Sequence, residues 1–142
     1  MADASWDGDE LCLVCGPKNP SGLNLRFFAD AEGARAEGSV PEHLQGYHGT
    51  THGGIVAAIL DEAMYYAIAA QGSTWVATGE LTVRYHRPLP CGTPFSVEAQ
   101  CLRSTRRFAK ACASLRCEGA EVATATGLFL PVPHHDQGPK GE

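Results

Sequence analysis

The chain has 142 residues, 44% of them hydrophobic and 19% charged. That suits one globular domain, and no apolar run is long enough to span a bilayer, so neither a membrane nor a multidomain architecture is expected. A net charge of −5 argues against nucleic acid as a bulk partner.

Residues 1–22 read as an N-terminal arm. Its first ten residues are acidic and lack the basic and apolar regions of a signal peptide, so a cytoplasmic protein with mostly free thiols is expected. Leu11-Cys-Leu-Val-Cys-Gly16 follows, then the turn-rich Pro17–Gly22. Cys12 and Cys15 have metal-ligand spacing, but a closed zinc site needs four ligands and no second CxxC exists. His43, His48, His134 and His135 could contribute only by coincidence of folding. No metal is expected here, and the two thiols are expected to be buried.

Leu23–Ala29 alternates apolar and polar residues and predicts a strand, with Ala34–Val40 a second short one. Pro41–Thr50 reads as a loop. Thr51–Ala70 then predicts one long helix, because apolar residues recur at helical spacing and alanine supplies six positions. Thr51 is the expected N-cap and Gln71-Gly72 the stop. Two features of this helix exceed the needs of packing. It opens on Gly53-Gly54, which lets a ligand approach the backbone where free N–H groups favour negative charge. Asp61 then lies opposite the apolar stripe, beside Ala57, Ala58 and Tyr65, with Glu62 next to it. The pair is either a solvated acidic face or a site.

After the helix the period changes to 2. Trp75–Arg87 places Leu81, Val83 and Tyr85 on one face and Thr78, Glu80, Thr82, Arg84 and His86 on the other. Pro88–Pro94 is a turn. Phe95–Arg103, Arg107–Cys117 and Val122–Pro131 predict three more strands, the last two joined at Glu118-Gly119. Residues 133–142 read as a disordered tail. The order is two short strands, one helix, then four strands in meander, an α+β domain with a roughly six-stranded antiparallel sheet. Such a sheet leaves a face or an edge to bury, so self-association is expected. Arg84, Arg87, Arg103, Arg106, Arg107 and Lys110, six of eleven basic residues, share one window with a single acid, Glu98. This is either scattered surface charge or a site for a small polyanion such as a nucleotide phosphate.

His52-Gly-Gly54, then six residues and Asp61, followed by Arg84-Tyr-His-Arg-Pro-Leu-Pro-Cys-Gly92 and Gly119-x-x-Val-Ala-x-Ala-x-Gly127, resembles the hotdog-fold thioesterases. The likeness runs over residues 23–132 and is nearest the phenylacetyl-CoA thioesterase-like (PaaI-like) branch. The opening Cys12-x-x-Cys-Gly-x-x-Asn-Pro-x-Gly-Leu23 is similar to that of many members of the branch. The resemblance implies a hotdog fold, in which strands wrap one central helix, and hydrolysis of a small or medium acyl- or aryl-CoA. It implies that Asp61 is general base or nucleophile, that the Gly53 N–H polarises the thioester carbonyl, that His52 supports the turn, and that Thr78 holds the attacking water. Gly54 would lie against the substrate. Several members have an Asn six residues before the motif histidine; here that position is Gly46, with Gln45 beside it as the expected substitute. Arg103, Arg106 and Arg107 would meet the phosphates of coenzyme A. No cofactor beyond the coenzyme A of the substrate is implied. A hotdog protein that binds acyl-CoA without hydrolysing it is the alternative, and a hotdog dehydratase is disfavoured because its Asp/His arrangement is absent.

Helix geometry adds one expectation. Gly53 and Asp61 are eight residues apart, about 12 Å along one helix, so both cannot touch one carbonyl. Two antiparallel helices would join them, which implies a dimer or a dimer of dimers.

Overall fold

The computed structural model describes residues 2–3, 10–72 and 75–133; the expected tail from 134 onward, with His134 and His135, and residues 4–9 of the arm lie outside them. The elements are β1 (Ala2–Asp3), β2 (Phe28–Asp30), β3 (Gly33–Gly38), one short helical turn (Glu42–Leu44), α1 (Gly53–Ala69), β4 (Val76–Tyr85), β5 (Phe95–Ser104), β6 (Ala109–Cys117) and β7 (Ala120–Pro131). All the strands form one antiparallel sheet in the order β1-β2-β3-β5-β6-β7-β4. The six expected strands are present, and Ala2–Asp3 of the arm adds a two-residue seventh against β2.

Two expectations about the strands are corrected. The first concerns β2, which begins at Phe28 rather than Leu23. Between those residues the backbone bonds to the arm instead: Leu23 N–H donates to Leu13 O and Leu25 N–H to Val14 O, each at 2.8 Å, and Asn24 has φ +50°. The second concerns the meander, which covers only β5–β7. After the helix the chain lands on the far edge as β4, paired with β7, and Pro88–Pro94 carries it back so that β5 pairs with β3. Leu89, buried in that crossing, accepts the Thr51 N–H at 2.8 Å and ties the return loop to the helix start.

The core lies between α1 and the inner face of the sheet. Ile59, Leu60, Ala63, Met64, Ala67 and Ile68 of the helix are fully buried. Opposite them the sheet presents small residues, including Ala99, Ala111, Ala113, Ala123 and Ala125. Large side chains on the helix against alanines on the strands keep the interdigitated core dense while the helix sits close to the sheet. Gly127 marks the limit of this approach: a Cβ there would meet Phe129 Cε1 at 2.7 Å and Met64 Cε at 3.2 Å. No helix of the described residues is long and apolar enough to cross a membrane.

Candidate active site

The helix start is set by a closed loop. Gln45 and Thr51 bridge, Gly46 N–H donates to Thr50 O at 2.8 Å, and His52 N–H donates to Leu44 O at 3.0 Å. The N-cap is His52, not Thr51, which is buried with its N–H turned to Leu89. His52 Nδ1 accepts from the Gly54 N–H at 2.8 Å, so a neutral ring carries its proton on Nε2. That bond occupies the Gly54 N–H. The Gly53 N–H meets no partner among the described residues, and the Gly53 carbonyl accepts from the Tyr85 hydroxyl at 2.6 Å. A cavity of about 400 Å³ opens here, lined by Gly46, Tyr47, Thr50, Thr51, His52 and Gly53. A first-turn N–H aimed into a cavity can stabilise a developing oxyanion. Gln45 points its side-chain oxygen at the Gly49 N–H, 2.9 Å away, and so closes the loop. Gly46 is tight, since a Cβ there would lie 3.3 Å from His52 Cα.

Two turns further on, Asp61 is half-buried and accepts a 2.7 Å hydrogen bond from the Thr78 hydroxyl. Burial raises its carboxyl above the ordinary range, and the Thr78 bond opposes that rise. Simple alternation puts Thr78 on the outer face with Glu80 and Thr82. The structure puts it on the helix side, because the β4–β7 register slips between Thr78 and Glu80. Thr78 then opposes Phe129, Glu80 opposes Leu128 and Leu81 opposes Gly127. Gly79 is the extra residue of a bulge, and the bulge turns the Thr78 side chain onto the helix.

Arg103, Arg106 and Arg107 lie elsewhere. Arg103 and Lys110 flank the Phe108 ring, at 5.5 and 5.8 Å from its centroid. Arg106 and Arg107 are exposed in the β5–β6 hairpin, whose turn is held by Thr105 Oγ1 accepting from the N–H groups of Arg107 and Phe108. Register places Thr78, Phe129, Ala109 and Ser104 in one row across the sheet. The hairpin is therefore at the Asp61 end of the sheet but two to three strands over, about 10–14 Å at about 4.8 Å per strand.

Glu62, adjacent to Asp61, faces the arm. Its Oε2 accepts from Cys15 Sγ at 2.7 Å and from Cys12 Sγ at 3.4 Å. Burial pushes the Glu62 carboxyl up to about 7. The Cys12 thiol is held down at about 5, chiefly by its bond with Cys15 and further by the Cys15 and Val14 backbone N–H groups. Cys15 shifts the opposite way, through the same Cys12 bond and burial.

A cavity of about 720 Å³ lies away from the helix. It is the concave outer face of the sheet, with Arg35, Glu98, Ser114, Thr124, Thr82 and Arg84 along it. No Asp61–Thr78 or Gly53 chemistry reaches it, so cavity size does not locate the site. Sequence reasoning missed Tyr85, Gly79 and the partnership of Glu62 with the arm. Only Gly79, a glycine inside a strand pattern, carried a local signal of its role.

The Thioesterase superfamily profile matches residues 48–124, more than half of the chain and the whole helix start, helix and β4. No curated protein matches the sequence. Among solved structures, a thioesterase superfamily protein superposes at TM-score 0.77 and 26% identity over 84% of this chain, which spans 62% of that protein's length. A point mutant of the phenylacetic acid degradation protein PaaI from Thermus thermophilus is 30% identical at TM-score 0.69, with 78% of this chain and 95% of that one covered. A Streptococcus mutans protein bound to acetyl-CoA shares the fold at 18% identity and TM-score 0.68, with 77% and 89% covered. With its one helix against an antiparallel sheet, the chain belongs to the hotdog-fold thioesterase superfamily and is PaaI-like.

Proposed function

We propose that this protein hydrolyses acyl- or aryl-CoA thioesters to the acid and free coenzyme A, at a site shared by two copies of the chain. The observation that carries this reading is the pair of half-sites on one helix: a half-buried carboxylate bonded to Thr78, and a first-turn N–H at a cavity. Asp61 takes a proton from water held beside the Thr78 hydroxyl as the water oxygen attacks the carbonyl carbon. The Gly53 N–H of the other copy stabilises the oxyanion. The C–S bond then breaks and coenzyme A leaves as a thiolate, which needs no strong acid. His52 positions the first turn through Nδ1, and Gln45 shapes the loop before it. The hairpin arginines supply positive charge for the phosphates, with the pantetheine arm spanning the distance to the thioester.

Self-association fits the edge of the sheet. β4 runs ten residues and pairs only with β7 among the described residues. Two β4 edges pairing antiparallel about a two-fold axis extend the sheet and set two α1 helices antiparallel, which brings Asp61 of each copy toward Gly53 of the other.

A panel of acyl- and aryl-CoA substrates, read by release of free thiol, tests the reading. Saturable turnover of at least one class is expected. Tight binding across the panel with no thiol release would instead make the protein a non-catalytic acyl-CoA binder.

A further inference from the structure

The arm's Cys12-Leu-Val-Cys15-Gly16 turn meets Glu62 across 50 and 47 residues of sequence. Cys12 Sγ, Cys15 Sγ and a Glu62 carboxylate oxygen all lie within 4.8 Å of one another. Gly16 makes the turn possible: a Cβ there would sit 2.4 Å from Cys12 N and 2.5 Å from Glu10 O. Cys15 is buried, and Cys12 and Glu62 are half-buried. Among the described residues no lysine, arginine or histidine forms an ion pair with Glu62. Three groups able to carry negative charge thus converge without a cation of the chain, and buried charge requires a partner.

We propose that Cys12, Cys15 and Glu62 are the three protein ligands of a thiophilic divalent metal ion of the zinc class, with the fourth position left to solvent. Two sulfurs and one carboxylate oxygen are a zinc donor set. With Zn–S of about 2.3 Å and Zn–O of about 2.0 Å, tetrahedral sulfur and oxygen ligands stand about 3.5 Å apart. The Cys12–Glu62 separation of 3.4 Å already fits, and the Cys15–Glu62 separation of 2.7 Å opens by less than 1 Å around an ion. Spacing alone supplied two donors and argued against a metal; the fold supplies the third. The ion clips the arm to the helix one residue from Asp61, and the assignment is independent of the thioesterase reading.

The full-length chain, reduced with a phosphine, is titrated with Zn²⁺ and separately with Co²⁺. About one ion per chain is expected, with a thiolate-to-cobalt charge-transfer band. Loss of even an outer-shell partner costs about 10–100-fold in affinity, so Glu62→Gln should weaken binding at least ten-fold. Cys12→Ser with Cys15→Ser should abolish binding, while Cys101→Ser with Cys112→Ser should leave it unchanged. Circular dichroism checks folding. If the arm cysteine variant does not fold, the wild-type titration and the near-isosteric Glu62→Gln decide the matter. No binding by the reduced wild-type chain in the micromolar range overturns the proposal, as does equal affinity in Glu62→Gln.

Discussion

The Thr78 hydroxyl reaches Asp61 only because Gly79 is bulged out of β4; the two side chains meet at 2.7 Å from elements that regular alternation would turn apart. The bond has two consequences. It fixes the rotamer of the carboxylate, and it supports the charged form against the effect of burial. A base needs both orientation and charge.

Replacing Asp61 by Asn keeps the volume and removes the proposed base. The expected result is an intact fold with kcat lowered at least about 100-fold, equivalent to about 2.7 kcal/mol of barrier. Thr78→Val removes a hydrogen bond to a charged group, worth about 1.5–3 kcal/mol, so a loss of roughly 10- to 100-fold is expected. Steady-state kinetics with thermal melts checks both. Near wild-type turnover in Asp61→Asn, with Glu62→Gln inactive, would move the base to the neighbouring residue.

The bulge itself can be tested by deleting Gly79. Thr78 opposes Phe129 and Glu80 opposes Leu128, its neighbour on β7, so without Gly79 the strands pair regularly and Thr78 stays on the helix side. The contact with Asp61 should survive, and kcat should fall far less than in Thr78→Val. A loss as large as that of Thr78→Val, in a variant that melts normally, would show that the local bend of the bulge also sets the contact.

Much of this arrangement was legible because it depends on local pattern. Helical spacing located α1 to within two residues, and period-2 runs located β5, β6 and β7 equally closely. What failed was non-local. Leu23–Phe27 has strand-like alternation, but its backbone bonds are taken by the arm. His52 displaced Thr51 as cap because the Thr51 N–H is drawn to Leu89, a partner set by the β4–β5 crossing. Glu62 looked solvated on the helical wheel, and only the docked arm places two thiols over it.

The β5–β6 hairpin carries exposed arginines away from the Asp61–Thr78 pair, so its role should show in binding and not in chemistry. Arg103→Ala, Arg106→Ala and Arg107→Ala together are expected to raise KM for acyl-CoA several-fold and flatten its dependence on salt, with kcat little changed. Activity measured from low to moderate ionic strength checks this. Arg103→Ala also removes a contact with the Phe108 ring, so melts must show that the hairpin survives. An unchanged KM in the triple variant would assign the cluster to ordinary surface charge.

The proposed sharing of the site between copies rests on where the two half-sites are anchored. Tyr85 holds Gly53 and Thr78 holds Asp61, so one strand fixes both at opposite ends of the same helix stretch. Nothing within one chain can bring them to a single carbonyl. Gly53→Pro removes the N–H at the first helical position, where proline is well tolerated. His52, at φ −58° and ψ 136°, already has the extended backbone that precedes proline, and a Cβ at Gly53 meets nothing nearer than 3.6 Å. The variant should therefore fold yet be inactive, as should Asp61→Ala. A heterodimer of the two holds one doubly damaged site and one intact site. Half of a randomly mixed population is heterodimer, so about a quarter of wild-type activity should return on co-expression. Mass measurement establishes that heterodimers form. Heterodimers with no activity would place the whole site within one chain and defeat the geometric argument.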